Sequence, residues 1–314
     1  MTLQRSILYT LGFAGSLYFT SCQSTPQQEE STAMTVETET NQKTQAKDVH
    51  SYARPEEAVI KHLDLDVDVN FDQKKLTGSA TYQIENKTST DKLILDARDL
   101  KIKNVYLDGD KSKPTTFKLG VEKQDFMGQP LEIAIKPETK SVTIEYETTP
   151  EAAALQWLNP QQTAGKKYPF LFTQSQAILA RTWIPIKDSP GIRFTYNAKV
   201  KVPKELLAVM SAENPQQKNS SGVYEFKMTQ PIPSYLMALS VGDLVFKPLG
   251  NQTGVYAEPA TIAEAAYEFA ELDKMLVAAE KLYGKYRWDR YDLLVLPPSF
   301  PFGGMENPRL TFVT

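Results

Sequence analysis

A strict alternation of apolar and polar residues, beginning at His62, constrains the fold more than any other feature of the chain. Its members are Leu63, Leu65, Val67, Val69 and Phe71, separated by Asp64, Asp66, Asp68 and Asn70. Successive side chains of a β-strand point to opposite faces, so this period of two predicts a strand with one buried face and one aspartate-lined face in water. No glycine-containing loop of oxygen ligands accompanies the aspartates, which favours a solvated face over a calcium site.

Further short apolar segments follow, separated by turn residues. They are Gly78 to Glu85, Lys92 to Asp96, Ile102 to Leu107, Leu131 to Ile135, Val142 to Tyr146, Phe170 to Thr173, Phe194 to Val202, Leu207 to Ser211, Val223 to Met228 and Leu236 to Val245. Strands at this spacing are typical of β-sandwiches. The sequence therefore predicts one mostly β domain over residues 50–249.

The pattern changes from strand to helix after Gly250. Thr261 and Glu264 are spaced as a capping box, and Gly284 is a typical helix end. Apolar residues lie at helical spacing between them: Ile262, Ala265, Phe269, Leu272, Leu276, Ala279 and Tyr283. A strand, Tyr291 to Leu296, comes next. Residues 250–314 are thus predicted to begin an α/β domain that is incomplete at Thr314.

The N-terminal residues have the pattern of an export signal. Arg5 precedes an apolar run from Ile7 to Phe19, and small residues then lead to Cys22, the single cysteine of the chain. This resembles a bacterial lipoprotein processing site, although Phe19 stands where an aliphatic residue is usual. The interpretation is a signal peptide over 1–22 and lipidation of Cys22; an ordinary or uncleaved signal with a chance cysteine is the alternative.

Residues 23–49 are rich in Gln, Thr, Glu, Ser and Lys and nearly lack large apolar side chains, so they are predicted to be a disordered tether. The protein is then expected to be exported and anchored by lipid to a bacterial membrane, in the periplasm or at the cell surface. Lys and Arg total 35 against 38 Asp and Glu, a net charge of −3, which excludes a basic field for nucleic acid.

One segment, Gly303-Gly304-Met305-Glu306-Asn307, carries candidate binding chemistry. Two glycines permit close approach of a backbone to a ligand, and a carboxylate follows at once. A carboxylate held beside the first residue of a bound peptide would bind its ammonium group and measure the distance to the first peptide bond. The alternative from composition alone is a plain Gly-Gly turn with a surface glutamate.

Three segments resemble the aminopeptidase N and leukotriene A-4 hydrolase family of zinc enzymes, and they favour the first interpretation. Pro298 to Thr314 looks like the exopeptidase signature of the family, whereas Phe170 to Pro185 and Val202 to Leu206, with Met210 to Ala212, resemble its leukotriene A-4 hydrolase branch. The resemblance covers roughly residues 50–314. It implies a saddle-like β-sandwich N-terminal domain followed by the truncated start of an α/β, thermolysin-like zinc-peptidase domain.

The resemblance also implies roles for individual residues. Glu306 would bind the α-amino group of a peptide substrate, and Gly303, Gly304 and Met305 would present backbone near its scissile carbonyl. Gln176, with Gln174 nearby, would reach the first side-chain pocket. Phe302 stands where relatives of this branch have Tyr, and Arg309 is expected to be a charge on a strand surface.

The zinc ligands that this family requires are missing from the sequence. The family binds zinc through a His-Glu-x-x-His motif and a later Glu, whereas the histidines here are His50 and His62, both expected to be exposed to solvent. No catalytic residue and no metal ligand are therefore predicted within this chain, and the zinc ligands are expected beyond residue 314.

The preferred interpretation is the N-terminal portion of a metalloaminopeptidase that removes N-terminal residues from peptides and is inactive alone. One alternative is a non-catalytic, lipid-anchored β-module that binds peptides or a partner protein. The other is an epoxide-hydrolysing activity, which would rest on analogy of fold alone.

Overall fold

The computed structural model describes residues 48–300 and 302–314. The predicted signal peptide, Cys22 and all but the last two residues of the predicted tether lie outside the described residues. No helix in the described ranges is long and apolar enough to cross a membrane.

Strands dominate the described chain. In order they are β1 Ala58–Asn70, β2 Lys75–Asn86, β3 Lys92–Ala97, β4 Lys101–Leu107, β5 Phe117–Leu119, β6 Gln129–Ala134, β7 Ser141–Glu147, β8 Leu155–Leu158, β9 Phe170–Thr173, β10 Arg193–Lys201, β11 Leu207–Met210, β12 Val223–Pro233, β13 Leu239–Gly242, β14 Val245–Pro248, β15 Thr253–Ala257, β16 Tyr291–Val295, β17 Gly304–Met305 and β18 Leu310–Val313. The helices are α1 Ile262–Glu268 and α2 Leu272–Tyr283, besides short 3-10 turns at Pro160–Gln162, Ala180–Thr182 and Ser234–Leu236.

The predicted alternating strand is β1, the centre of a six-stranded sheet ordered β12-β10-β1-β2-β7-β4. It pairs antiparallel with β2 and parallel with β10. Its leucines and valines are buried, whereas Asp66 and Asp68 face solvent and pair with Lys199 and Lys201 at 3.5 and 2.9 Å. The prediction of a half-buried strand with an aspartate face is confirmed.

Two smaller sheets complete the β domain. One is three-stranded, ordered β3-β6-β5, and the other is four-stranded, ordered β11-β13-β9-β8. Buried side chains from these sheets and from the six-stranded sheet belong to one continuous apolar cluster. One buried face of the six-stranded sheet explains the alternation in β1, β2 and β10, whereas β9, β11 and β13 are buried at every residue and therefore on both faces.

The last part of the chain forms a five-stranded sheet ordered β14-β15-β16-β18-β17. The inner strands β15, β16 and β18 run parallel, and the edge strands β14 and β17 run antiparallel to their neighbours. Strand β14 begins at Val245, so this sheet starts a few residues before position 250. The fold is mostly β, followed by an α/β segment, as the sequence predicts.

The predicted single helix from Thr261 to Gly284 is wrong in one respect, because it is broken into α1 and α2. Each piece is fixed separately: α1 packs Ala265 and Ala266 against β15, while Asp273 of α2 accepts a hydrogen bond from the Thr253 hydroxyl at 3.1 Å. Gly284 does end α2, with a φ of 86°.

The predicted capping box is also absent. The Thr261 hydroxyl donates to the Glu258 carbonyl at 3.3 Å instead of capping the helix, because residues 258–262 form a tight turn.

The predicted strand from Leu236 to Val245 is likewise divided, into a 3-10 turn, β13 and β14. The chain turns at Gly242, whose carbonyl accepts the amide of Leu244 at 2.9 Å. A side chain on Gly242 would collide with the Phe170 ring, 2.5 Å from the position of a Cβ atom. The turn moves β14 from the β domain into the five-stranded sheet.

A charged centre lies inside the β domain. Arg181 is fully buried; its Nε donates to Asp188 Oδ2 at 3.0 Å, and Nη1 donates to the Met127 carbonyl at 2.6 Å. Asp96, 3.9 Å from Arg181 Nη2, accepts the Ser51 hydroxyl at 2.6 Å and the Asp188 amide at 2.8 Å. Burial raises the pKa of both carboxyl groups, an effect that the arginine opposes.

Candidate functional site

The Gly-Gly-Met-Glu segment forms the outer edge of the five-stranded sheet. Gly304 and Met305 constitute β17, which pairs with β18 on one side only. A Cβ atom at Gly304 would lie 3.1 Å from the Phe312 carbonyl oxygen, whereas a Cβ at Gly303 would meet nothing within 4 Å. Gly304 is thus explained by the close approach of β18, and Gly303 faces open space.

Two tight turns hold Glu306 at the end of β17. The Asn307 amide donates to the Met305 carbonyl at 3.0 Å, and the Leu310 amide donates to the Asn307 carbonyl at 3.2 Å. Met305 and Asn307 are buried, whereas the Glu306 side chain between them is exposed. Among the described residues, Glu306 has neither a hydrogen-bond donor nor an ion-pair partner for its carboxylate. This carboxylate is therefore available to a cation.

Phe300 connects this edge to the β domain. Its ring makes edge-on contacts with Phe172 of β9, at 5.4 Å between centroids, with Phe312 of β18 at 6.2 Å and with Phe302 at 6.0 Å. Phe302 itself is 50% exposed. The contact with Phe172 brings the end of β9, which leads into Gln174 and Gln176, next to the segment that leads into Gly303.

The two glutamines differ in their surroundings. Gln174 is buried, and its Oε1 accepts the backbone amide of Gln176 at 3.0 Å. Gln176 is exposed. Gln174 thus holds the backbone of Gln176 in place. The sequence did not predict this hydrogen bond between the two residues.

Three buried side-chain donors flank the motif without a hydrogen-bond acceptor in the described ranges. They are Gln174 Nε2, Asn307 Nδ2 and Arg309 Nε. Other buried polar atoms of the described residues also lack a partner, among them Tyr146 Oη and Trp157 Nε1, so these three donors do not by themselves mark a binding site.

The expectation that Arg309 is a surface charge is wrong. The residue is only 5% exposed, its Nη1 donates to Asp289 Oδ2 at 2.8 Å, and its backbone has a φ of 69°.

Glu258 is a buried carboxylate that sequence analysis missed. It accepts the backbone amides of Ala164 and Gly165, at 2.7 and 3.1 Å. It follows β15, so this carboxylate fastens a loop of the β domain to the five-stranded sheet. No sequence motif surrounds it; only the fold brings residues 164 and 258 together.

The described residues do not form a metal site. No group of three or more His, Cys, Asp or Glu side chains in residues 48–300 and 302–314 is arranged to hold a metal ion. His50 is exposed, as expected, but His62 is half-buried, because its ring contacts Thr195 Oγ1 at 2.7 Å and Asn197 Nδ2 at 3.0 Å on the face of the large sheet. The donors present do not fit a zinc ion.

Comparison with known proteins identifies the family. Residues 59–236 match the profile described as the peptidase M1 N-terminal domain. This chain belongs to the M1 peptidase family. It is 46% identical over 278 residues to leukotriene A-4 hydrolase of Xenopus laevis and 42% identical over 250 residues to leucine aminopeptidase 2 of Yarrowia lipolytica, so the resemblance found in the sequence is confirmed.

These alignments cover most of this chain but less than half of its M1 relatives. They include 85% of this chain and 45% of the Xenopus protein, and 78% of this chain and 38% of the Yarrowia protein. Among solved structures, a yeast leukotriene A-4 hydrolase in complex with bestatin matches with a TM-score of 0.79 and 33% identity, over 87% of this chain and 43% of that one. The mostly β architecture is thus that of the N-terminal part of these enzymes.

Proposed function

We propose that this chain is the N-terminal portion of a metalloaminopeptidase and that it binds the amino end of peptide substrates. One observation carries the proposal: an exposed carboxylate without a described partner, Glu306, lies at the end of an edge strand, β17, in a chain of the M1 family.

The geometry suits an extended peptide. Because β17 is paired only on the side of β18, the backbone groups on its other side are free to pair with a substrate backbone. The substrate ammonium would then be bound by Glu306, one residue beyond the strand. Such a contact fixes the distance from the ammonium to the first peptide bond, which is what removal of a single residue requires.

The glutamines at the end of β9 approach the same edge from the β domain. Gln176 is exposed and its backbone is fixed by Gln174, so its amide is the candidate contact for the first side chain of the substrate. Peptides with a free amino end are the proposed ligands, and Gly303, Gly304 and Met305 supply backbone contacts.

The hydrolytic step belongs to residues that this chain does not contain. Zinc in peptidases supplies an activated water for attack on the peptide bond. Since the described residues do not fit such an ion, we assign substrate binding, and no bond-breaking step, to this chain.

Glu306→Gln in a full-length protein that carries the zinc motif tests the proposal. Loss of the charged contact should raise the activation free energy for unblocked dipeptides by about 2 to 4 kcal/mol. This corresponds to a roughly 30- to 1,000-fold fall in kcat/KM. N-acetylated dipeptides are the control; they should be poor substrates of the wild type and lose little further. An equal loss on both substrates would show that Glu306 acts only on the structure.

The 314-residue chain by itself should bind no stoichiometric zinc and should not hydrolyse aminoacyl chromogenic substrates. Metal analysis and an activity assay of the purified chain check this. One tightly held zinc per chain together with turnover would contradict the proposal.

We further propose that the protein is exported and held on a bacterial membrane through Cys22, as the N-terminal sequence indicates. Cys22→Ser should abolish labelling by a tagged fatty acid and either release soluble protein or leave the signal uncleaved. Unchanged labelling would refute lipidation.

A further inference from the structure

Arg309 is a buried arginine directly behind the Glu306 turn. It precedes β18 and has a left-handed backbone conformation, with a φ of 69°. Residues other than glycine seldom adopt this conformation, so surrounding contacts must hold it. Both its burial and its left-handed backbone conformation indicate that neighbouring residues hold Arg309 in one conformation.

Those contacts come from two parts of the molecule. Nη1 donates to Asp289 Oδ2 at 2.8 Å, in the turn before β16, and the backbone amide donates to the Tyr286 hydroxyl at 3.3 Å. Nη2 lies 3.9 Å from Glu213 Oε1, in the loop that follows β11 in the β domain. The guanidinium therefore ties the motif turn to its own sheet by a hydrogen bond, and its longer contact with the exposed Glu213 carboxylate adds little.

The turn held by Arg309 is the turn that aims Glu306. The Asn307 carbonyl accepts the Leu310 amide at 3.2 Å across Pro308 and Arg309, and Glu306 lies immediately before this turn. The Arg309 carbonyl also accepts the Asp292 amide of β16, at 3.3 Å. A shift of Arg309 would therefore move the turn relative to β16 and displace the Glu306 carboxylate.

We propose that Arg309 is a positioning residue for substrate-amine recognition, because the hydrogen bond of its guanidinium to Asp289 holds the Glu306 turn in place. The proposal rests on the proposed function, in which Glu306 binds the ammonium group. Arg309 itself contacts no substrate; it acts through the geometry of residues 305–310.

Hydrogen exchange in the 314-residue chain tests the structural half of the proposal without any activity. Arg309→Met should speed amide exchange in the segment 303–310, while exchange in β1, β2 and β10 stays as in the wild type. Lys92→Met is the control, since Lys92 pairs with Glu132 at 3.4 Å in the three-stranded sheet of the β domain and does not contact the motif turn. Unchanged exchange in segment 303–310, or the same increase there in both variants, would overturn the proposal.

Kinetics in the full-length protein test the functional half. A displaced carboxylate should raise KM for unblocked dipeptides about 10- to 100-fold in Arg309→Met, with a much smaller change in kcat. Arg309→Lys should recover part of the loss, because an ammonium can still pair with Asp289. An unchanged KM in Arg309→Met, or equal effects on N-acetylated dipeptides, would overturn the assignment.

The two proposals can fail separately. A wild-type full-length protein that turns over no unblocked dipeptide refutes the aminopeptidase proposal, whatever Arg309 does. In that case the exchange experiment still decides whether Arg309 holds the 303–310 turn.

Discussion

The buried charge centre of the β domain and the exposed Glu306 carboxylate at the edge of the five-stranded sheet have different surroundings. In the β domain, Arg181, Asp96 and Asp188 are withdrawn from water, and their polar atoms are engaged by hydroxyls, amides and carbonyls. At the edge of the five-stranded sheet, Glu306 is exposed and has no partner among the described residues.

The exposed face of α2 is a second difference. One apolar cluster holds the core of the β domain together with Leu294 and Phe312 of the five-stranded sheet, whereas α2 buries only Leu272 and exposes Met275, Leu282 and Tyr283 at 64%, 76% and 86%. Satisfied charges and a closed core stabilise a fold, while unsatisfied charges and open apolar surface are what binding uses. The buried charge centre is therefore expected to determine stability, whereas Glu306 is expected to matter for the proposed substrate binding.

Breaking the buried charge centre should have the largest effect on stability. Arg181→Met leaves two carboxylates buried without their cation, and should lower the free energy of unfolding by about 3 to 5 kcal/mol. Denaturant titration measures this. Lys201→Met, which removes an exposed ion pair with Asp68, is the control and should change the stability little.

The stability loss of Arg181→Met should also depend on pH. Without Arg181 the pKa values of Asp96 and Asp188 should rise further, so the folded state would bind more protons than the unfolded state above about pH 4. The stability loss should therefore shrink as the pH is lowered towards that value. A loss that is independent of pH would show that the carboxyl groups are not the source.

Lys187 should show the next largest effect. This residue is 1% exposed, and burial lowers the pKa of its ammonium to about 8 from 10.5. Between these values the unfolded state binds more protons, so the free energy of unfolding should rise with pH, by up to about 3 kcal/mol. Lys187→Met should abolish the rise and be more stable than the wild type at pH 7. A wild-type stability that is flat over this range would contradict the prediction.

Glu258 lies between the two regions and should have an intermediate effect. Glu258→Gln keeps the shape but replaces one acceptor oxygen by an amide nitrogen facing the Ala164 and Gly165 amides. We expect a loss of about 1 to 2 kcal/mol, and faster amide exchange in residues 160–168. If amide exchange increases in other segments but not in residues 160–168, Glu258 does not hold this loop.

The exposed face of α2 should have the smallest effect on stability. Leu282→Lys removes an exposed apolar side chain and should change the free energy of unfolding by less than about 0.5 kcal/mol. It should nonetheless reduce self-association in sedimentation experiments. Glu268→Gln alters the net charge by the same amount without removing apolar area. If both variants reduce self-association equally, charge and not the apolar face is responsible.

Much of the architecture follows from local patterns in the sequence. The alternation at 62–71 predicts β1 because every second side chain of a strand points to the same face of the sheet. Gly284 predicts a helix end because glycine readily adopts a φ of 86°. The break between α1 and α2 did not follow, since the apolar residues keep helical spacing across it and only the fold separates the two helices. The sequence from Gly303 to Asn307 located the candidate site, but its position on a sheet edge required the pairing of β17 with β18 alone.

Sequence alone therefore determined the strands with a buried face, the family and the segment that carries the candidate carboxylate, because each is encoded by neighbouring residues. Only the tertiary structure decided which charges are buried. No local pattern marks Arg181 or Arg309 for burial, yet the fold brings distant groups to both: the Met127 carbonyl accepts Arg181 Nη1 at 2.6 Å, and Glu213 Oε1 lies 3.9 Å from Arg309 Nη2. Burial depends on such non-local neighbours, which no local pattern records.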